Sequence, residues 1–362
     1  MISKDISVQN INMNTKITTY APVAIPTLNR YEHLQRLIES LEKCTNAEKT
    51  EVYVSLDYPP LDSNNKPVQK YYEGWKKNNE YLTQKEQSNG FKNLIVFRQQ
   101  KNLGISGSIS NYAFIYNKVL EKYDRFIATE DDNEFSPCFL EYMNQNFERY
   151  KNDPEIYCIC GYLSFRDDLP DTQNYTQFKA KRHVAWGVGI WRSKREEFQS
   201  FANRENLIKI AQDKKVIKYF EKDKMESILF SLIKMGRGGP ILGDVIVAAY
   251  MVHKCMRCIL PTKSMVRNHG WDGSGSHGGY VYGFKEQDIC TDSEYIINEA
   301  PKSFTEDFER RMHQKNRSRR RTFNEYASVV SWYLYKYTGI FCEFKHLHDI
   351  GKYIKNKLHG SK

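Results

Sequence analysis

Five short apolar runs alternate with helical patterns over the first 160 residues, and no other feature of the chain constrains its fold as tightly. The runs are APVAIPT (21–27), EVYVSLD (51–57), NLIVFRQ (93–99), RFIATED (125–131) and EIYCICGYL (155–163). Each is rich in Val, Ile, Phe and Tyr and bounded by turn residues, the pattern of a buried strand. Between them Leu34, Leu37, Ile38 and Leu41 recur at i, i+3, i+4 and i+7, and Asn29 followed by Glu32 has capping-box spacing. Tyr112, Ile115, Tyr116 and Val119 mark a second helix. This alternation predicts an α/β fold: a Rossmann-like, mixed but mostly parallel sheet flanked by helices.

Composition removes several other classes. The 362 residues are 40% hydrophobic and 14% aromatic, too much apolar and ring surface for a disordered chain. The longest uninterrupted apolar stretch, Val245 to Val252, is far shorter than the ~20 residues of a spanning helix. The start, MISKDISVQN, has no apolar core of a secretory signal, so a cytoplasmic protein with reduced thiols is expected. Cys158 and Cys160 fall on one strand face, and Cys255 and Cys258 have zinc-ligand spacing without a matching second pair. Buried structural thiols are the favoured reading of both pairs, with zinc the minor one. Residues 1–18 are expected to be flexible, 19–300 to form the main domain, and 301–362 a helical, basic and aromatic C-terminal region. That last region holds 14 Lys+Arg against 6 Asp+Glu.

Four motifs carry chemistry. EDDNEFSP (130–137) sets three carboxylates directly after the run RFIA, where ligands of open α/β sheets bind, and a divalent cation is the usual means of neutralising them. A solvated acidic turn capping the next helix is the plain alternative. APVAIPTLNR, paired with the Asp57 that ends VSLD, marks the first βα turn; it has no G-x-G-x-x-G, so a dinucleotide cofactor is not expected. KRHVAWGVGIWRSK (181–194) offers rings beside flexible backbone, suited to a sugar face or, equally, to a core strand with a tight bend. Asp244 opens an otherwise apolar helix, as a dipole partner or a functional acid.

In this order the four motifs resemble the GT-A class of nucleotide-sugar-dependent glycosyltransferases, over roughly residues 20–280. The likeness is to inverting family-2-like bacterial enzymes and to the eukaryotic N-acetylglucosaminyltransferase I family. IPTLNRYEHLQRLIESL resembles the first βα unit of that class, and VSLD the strand whose terminal Asp contacts uracil. ATEDDNEFSPCFLEYMNQNFERYKNDPEIYCICGY is similar to its Glu-Asp-Asp metal motif, Pro-capped helix and next strand. HVAWGVGIW resembles the Gly-x-Gly-Trp loop beside the donor sugar, with Ile190 intervening before Trp191. Asp244 falls where the family has its catalytic acid, preceded by Gly243 instead of Trp, and SHG (276–278) matches a loop that closes over the diphosphate.

The resemblance implies a metal-dependent inverting transfer from a UDP-sugar, of a hexose or N-acetylhexosamine, to a glycan or lipid-linked glycan in bacterial surface polysaccharide assembly. It implies Mn²⁺ or Mg²⁺ with Asp132 as direct ligand, His277 (or His269) as an added ligand or diphosphate donor, and Asp244 as general base. Thr27, Asn29, Arg30, Asp57, Glu130, Asp131, Trp186, Gly187, Gly189 and His277 are the expected donor-binding residues. RRMHQKNRSRRR (310–321), with aromatic YASVVSWYLYKYTGIF after it, suits an anionic membrane surface first, a packed appendage second and nucleic acid last. A peripheral position at the inner face of the cell membrane follows from the first of these. The competing functions are a sugar-nucleotide-forming nucleotidyltransferase, for which PTLNRYEH lacks the glycines, and a non-catalytic carbohydrate-binding protein.

Overall fold

The structure is a computed structural model describing residues 19–107, 109–164, 166–172, 174–274 and 286–344. Its centre is an eight-stranded sheet. The predicted runs supply β1 (Val23–Thr27), β2 (Glu51–Leu56), β3 (Asn93–Arg98) and β4 (Arg125–Ala128), parallel in the order β3-β2-β1-β4. After β5 (Asn133–Phe135), β6 (Ile156–Cys160) and β7 (Gln177–Ala180) comes β8 (Val188–Trp191), which inserts antiparallel between β4 and β6. Then β9 (Arg257–Pro261) runs parallel to β6 and antiparallel to the edge strand β7. The expected mixed, mostly parallel sheet flanked by helices is what the chain forms.

The strands read as continuous apolar runs because both faces are covered. Val23, Ile25, Val52 and Val54 face one core with α1 (Tyr31–Glu42), α2 (Gln69–Lys85) and α4 (Phe139–Tyr150). Ala24, Phe126, Cys158 and Ile190 face the other with α3 (Asn111–Leu120), α5 (Arg192–Phe201), α6 (Arg204–Ala211), α7 (Lys214–Lys222), α8 (Ser227–Gly236) and α9 (Gly243–His253). The Asn29–Glu32 capping box is not formed: Arg30 is the N-cap of α1 and makes no side-chain cap bond, its guanidinium being turned toward two aspartates instead. Ser110 does cap α3, accepting from the Ala113 amide at 3.3 Å.

Pro26 has a structural consequence. Proline cannot donate to a ladder, and β4 pairs with β1 only at Val23 and Ala24, so the two strands separate beyond that point. Strand order also reverses at β1, with β2 on one side and β4 on the other. Open α/β sheets hold their binding crevice where strand order reverses in this way, at the carboxyl ends of strands such as β1 and β4.

The C-terminal region packs on this body. In α10 (Lys302–Ser318), Phe304 and Phe308 meet Phe178 of β7 with ring centroids 5.3 and 5.0 Å apart. In α11 (Phe323–Thr338), Trp332 is fully buried. Of the seven Arg and Lys in 310–321, five pair with acids: Arg310 and Arg311 with Asp307, Lys315 with Asp168, Arg319 with Glu325 and Arg321 with Glu226. A packed appendage, the second reading of this segment, is thus present among the described residues. No helix among them is long and apolar enough to cross a membrane.

Candidate functional site

The acidic triplet stands at the mouth of this crevice. Thr27, the last residue of β1, donates its hydroxyl to Asp131 Oδ2 at 2.7 Å. Arg30 bridges the two aspartates, reaching Asp132 Oδ2 at 2.8 Å and Asp131 Oδ1 with its other nitrogen. Both aspartates are buried, and charges removed from water need partners of this kind. Burial opposes the Arg30 charge, but Asp131 and Asp132 more than offset it and raise its pKa above the ordinary value. Burial raises the Asp131 carboxyl, with the Asp132 charge adding to it and Arg30 and Thr27 working against it.

Glu130 differs from both. It is half-buried, and among the described residues no protein donor reaches its carboxylate. Burial, then the charges of Asp132 and Asp131, push its pKa up to about 8, with Asp244 contributing and Arg30 opposing. Burial and the Glu130 charge likewise hold the Tyr112 phenol well above its usual range, which places Tyr112 of α3 beside the triplet. A carboxylate left accessible, unpartnered and repelled by its neighbours is a ready site for a cation.

A second, two-stranded sheet fixes Asp132. β10 (Val266–Asn268) pairs antiparallel with β5, with Asn268 opposite Asn133. Asn268 donates to Asp132 Oδ1 at 2.8 Å and to Asn133 Oδ1 at 3.0 Å, while the His269 amide donates to the Asp132 carbonyl at 2.8 Å. Gly270 follows with no room for a side chain. The three carboxylates do not converge on one point, since the only set of three such ligand atoms within 4.8 Å of one another among the described residues lies elsewhere. Magnesium-type sites commonly use one or two carboxylates and complete their shell with substrate phosphates and water, and this donor set fits that pattern.

The other expected residues divide into groups. Asp244 is exposed in the first turn of α9, and its charge contributes to the raised Glu130 pKa. Asp57 follows β2, but its carboxylate accepts from the amides of Tyr58, Leu103 and Gly104 at 2.8–3.0 Å and from Asn102, so chiefly the loop after β3 fills its acceptor positions. Asn29 lies half-buried under α2, where a Cβ at Gly74 would stand 2.0 Å from its carbonyl oxygen.

Trp186 packs edge-on against Tyr162 with centroids 4.6 Å apart. Gly187 has φ +66 and a Cβ there would meet Val266 at 2.9 Å, while one at Gly189 would meet Phe147 at 2.8 Å. Both glycines sit in close packing, and β8 is a buried strand. His269 has its ring bonded to Glu134 at 2.7 Å, and Arg267 joins the same carboxylate at 3.0 Å. The hydrogen bond from His269, assisted by Arg267, lowers the Glu134 pKa against the effect of burial. His277 lies outside the described residues, as does the rest of SHG.

Asn268, Gly270 and Tyr112 were not anticipated. Asn268 and Gly270 lie in the short stretch VRNHG, which carries no periodic signal; Tyr112 reads as a residue of the second helix.

No protein-family model matches the chain, and no curated protein matches it. Among solved structures it is similar to TarS of S. aureus at 13% identity, over 52% of this chain and 32% of that one, with a TM-score of 0.33. A shorter S. aureus TarS, residues 1–349, gives 12% identity over 64% and 71% of the two chains and a TM-score of 0.35. The apo WbbM bifunctional glycosyltransferase gives 11% identity over 54% and 35% and a TM-score of 0.31. The chain thus spans about a third of the length of the first and the third. At scores this low the likeness assigns no residue a role.

Proposed function

We propose that the protein is a metal-dependent inverting glycosyltransferase of the GT-A type. It moves a hexose or N-acetylhexosamine from a UDP-sugar to a glycan or lipid-linked glycan, in bacterial surface polysaccharide assembly. The observation that carries this reading is the triplet at the strand-order reversal, with Glu130 half-buried and the exposed Asp244 near enough for its charge to act on Glu130. Asp132, held in place by Asn268, would bind Mn²⁺ or Mg²⁺, and Asp131 and Glu130 would contact the ribose or water bound to the ion. A divalent cation there supplies neutralisation of the diphosphate charge that builds as the sugar leaves. Arg30 keeps both aspartates charged and in place. Asp244, exposed and free to meet an incoming hydroxyl, takes the acceptor's proton as its oxygen attacks the anomeric carbon in line.

The proposal includes a peripheral position at the inner face of the cell membrane. Phe323, Tyr326, Val330 and Tyr337 form an exposed apolar stripe along α11, beside the basic 310–321 segment. Sedimentation with anionic vesicles that is unchanged by Phe323→Glu and Tyr326→Glu together would remove that part.

The main test is a panel of UDP-, GDP- and dTDP-sugars with and without Mn²⁺, reading nucleotide release and product anomeric configuration. Metal-dependent release from a UDP-sugar with inversion is expected. Absence of any UDP-sugar binding in the presence of Mn²⁺ overturns the reading, and release of pyrophosphate from UTP and a sugar phosphate replaces it with the nucleotidyltransferase.

A further inference from the structure

A second cluster of ligand-type side chains lies in the sheet, apart from the acidic triplet. Cys158 and Cys160 project from the same face of β6, as alternate residues of a strand must. The loop between β7 and β8 brings His183 over them, and the two thiols and the imidazole have ligand atoms all within 4.8 Å of one another. Cys258, opposite Cys158 in the β6–β9 register, is the neighbouring thiol on β9, outside that set of three and turned toward the carbonyls of Ala180 and Arg182. All three cysteines are fully buried and His183 is half-buried.

The spacing is informative. Cys158 Sγ and Cys160 Sγ are 3.9 Å apart, far beyond the ~2.05 Å of a disulfide. Zinc–sulfur bonds of ~2.3 Å set tetrahedral sulfur–sulfur edges of about 3.8 Å. The other thiol pair, Cys138 and Cys290, is also 3.9 Å apart, yet no imidazole joins it in such a set. Cys255 is no part of the cluster: it is exposed, on a backbone of φ +58, with Lys215 Nζ 3.6 Å from its sulfur. The zinc-like spacing of Cys255 and Cys258 is therefore misleading, while Cys258 belongs with the strand pair.

We infer that Cys158, Cys160, Cys258 and His183 bind one zinc ion in a closed, structural Cys₃His site. Soft thiolate and imidazole donors select zinc over the hard cations that suit the triplet. Binding deprotonates the three thiols and releases their protons to solvent; Cys258, whose thiol now donates to the carbonyls of Ala180 and Arg182 at 3.4 and 3.3 Å, gives up those bonds for the metal. Four protein ligands leave no open position, so the ion takes no part in transfer. Its effect is to fasten the 181–187 loop to β6 and β9.

The test uses the full chain and zinc alone. Metal analysis after incubation with zinc and removal of excess should give one zinc per chain. Cobalt in its place should give the intense ligand-field bands of tetrahedral thiolate coordination. His183→Ala alters the least buried ligand and should lower zinc affinity by more than about 100-fold, beyond the 10–100-fold of outer-shell changes. Cys255→Ser should retain the ion. Asp132→Ala should also retain it while losing nucleotide binding, which separates this site from the proposed transferase site. A parent chain that takes up no zinc, or a Cys158–Cys160 disulfide in the reduced-buffer protein, overturns the proposal without recourse to any variant.

Discussion

A Cβ at Gly270 would lie 2.0 Å from Asp132 Oδ2, so the backbone of the loop after β10 touches the last acid of the triplet with no side chain between them. Gly270→Ala must push either the loop or the carboxylate aside. We expect Mn²⁺-dependent UDP binding to weaken by at least tenfold and stability to fall by about 1–3 kcal/mol, as for other overpacked sites. Calorimetric titration beside a thermal melt measures both, and unchanged UDP affinity would show that this contact does not position Asp132 for the ligand.

Asp244→Asn keeps the size of the side chain but cannot accept a proton. Turnover should drop by about 10²–10⁴ while donor affinity stays near that of the parent. If Asp244 serves only the dipole of α9, the variant instead loses about 0.3–1 kcal/mol of stability and turns over almost normally. Measuring kcat and Tm on one preparation decides between them, and a kcat within a few-fold of the parent moves the search to Asp272. That carboxylate is bound to His33 at 2.9 Å; burial would raise it, but Ser274 and His33 hold it down at about 2.

Arg30→Met fills the same space without the charge. It strands Asp131 and Asp132, both buried, and should cost about 3–5 kcal/mol, the usual penalty for removing one partner of a buried pair. Chemical denaturation of the two proteins checks this. A loss below ~1 kcal/mol would mean that water or another cation already serves the aspartates.

Glu51 provides a pH signature remote from the crevice. Burial favours its neutral form, but hydrogen bonds from Tyr123, Lys122, Tyr53 and Asn93 prevail and bring its pKa from 4.5 down to about 2. A depressed carboxylate stabilises the fold above the unfolded pKa and loses that contribution as pH falls toward the folded one. Tm should therefore decline between pH 4.5 and 2 more steeply in the parent than in Glu51→Gln. Parallel curves would show that the Glu51 interactions do not survive in solution.

What could be read in the chain and what could not have separate physical origins. β1, β2 and β4 were legible because burial on both faces forces unbroken apolar runs, and the triplet was legible because three acids after such a run are costly without a partner. β5 and β10 are three residues each, NEF and VRN, too short to show a period. Asn268 acts through that invisible pairing, so nothing local marked it. At Gly187 and Gly189, Val266, Phe139 and Phe147 occupy the space a Cβ would need, a contact that the sequence does not show. Density of glycine reports close approach without saying what approaches. The insertion of β8 between β4 and β6 depends on pairing across more than sixty residues, from Arg125 to Trp191, which no window of sequence contains.

The order in which the strands lie bears on how the chain is made. β1 to β4 neighbour one another in space and are complete by residue 128, so that half of the sheet can assemble while synthesis continues. The other half cannot finish so early. Arg182, from the β7–β8 loop, is held by Asp223 at 3.0 Å and by Glu309 of α10 at 3.1 Å, and Trp332 of α11 is buried in the core that α8 helps to build. Until α10 and α11 leave the ribosome, the apolar face of α8 and the ring of Phe178 on β7 stay uncovered. A nascent chain stalled before residue 300 therefore presents a half-closed sheet to chaperones and proteases, and α10 and α11 supply the missing cover.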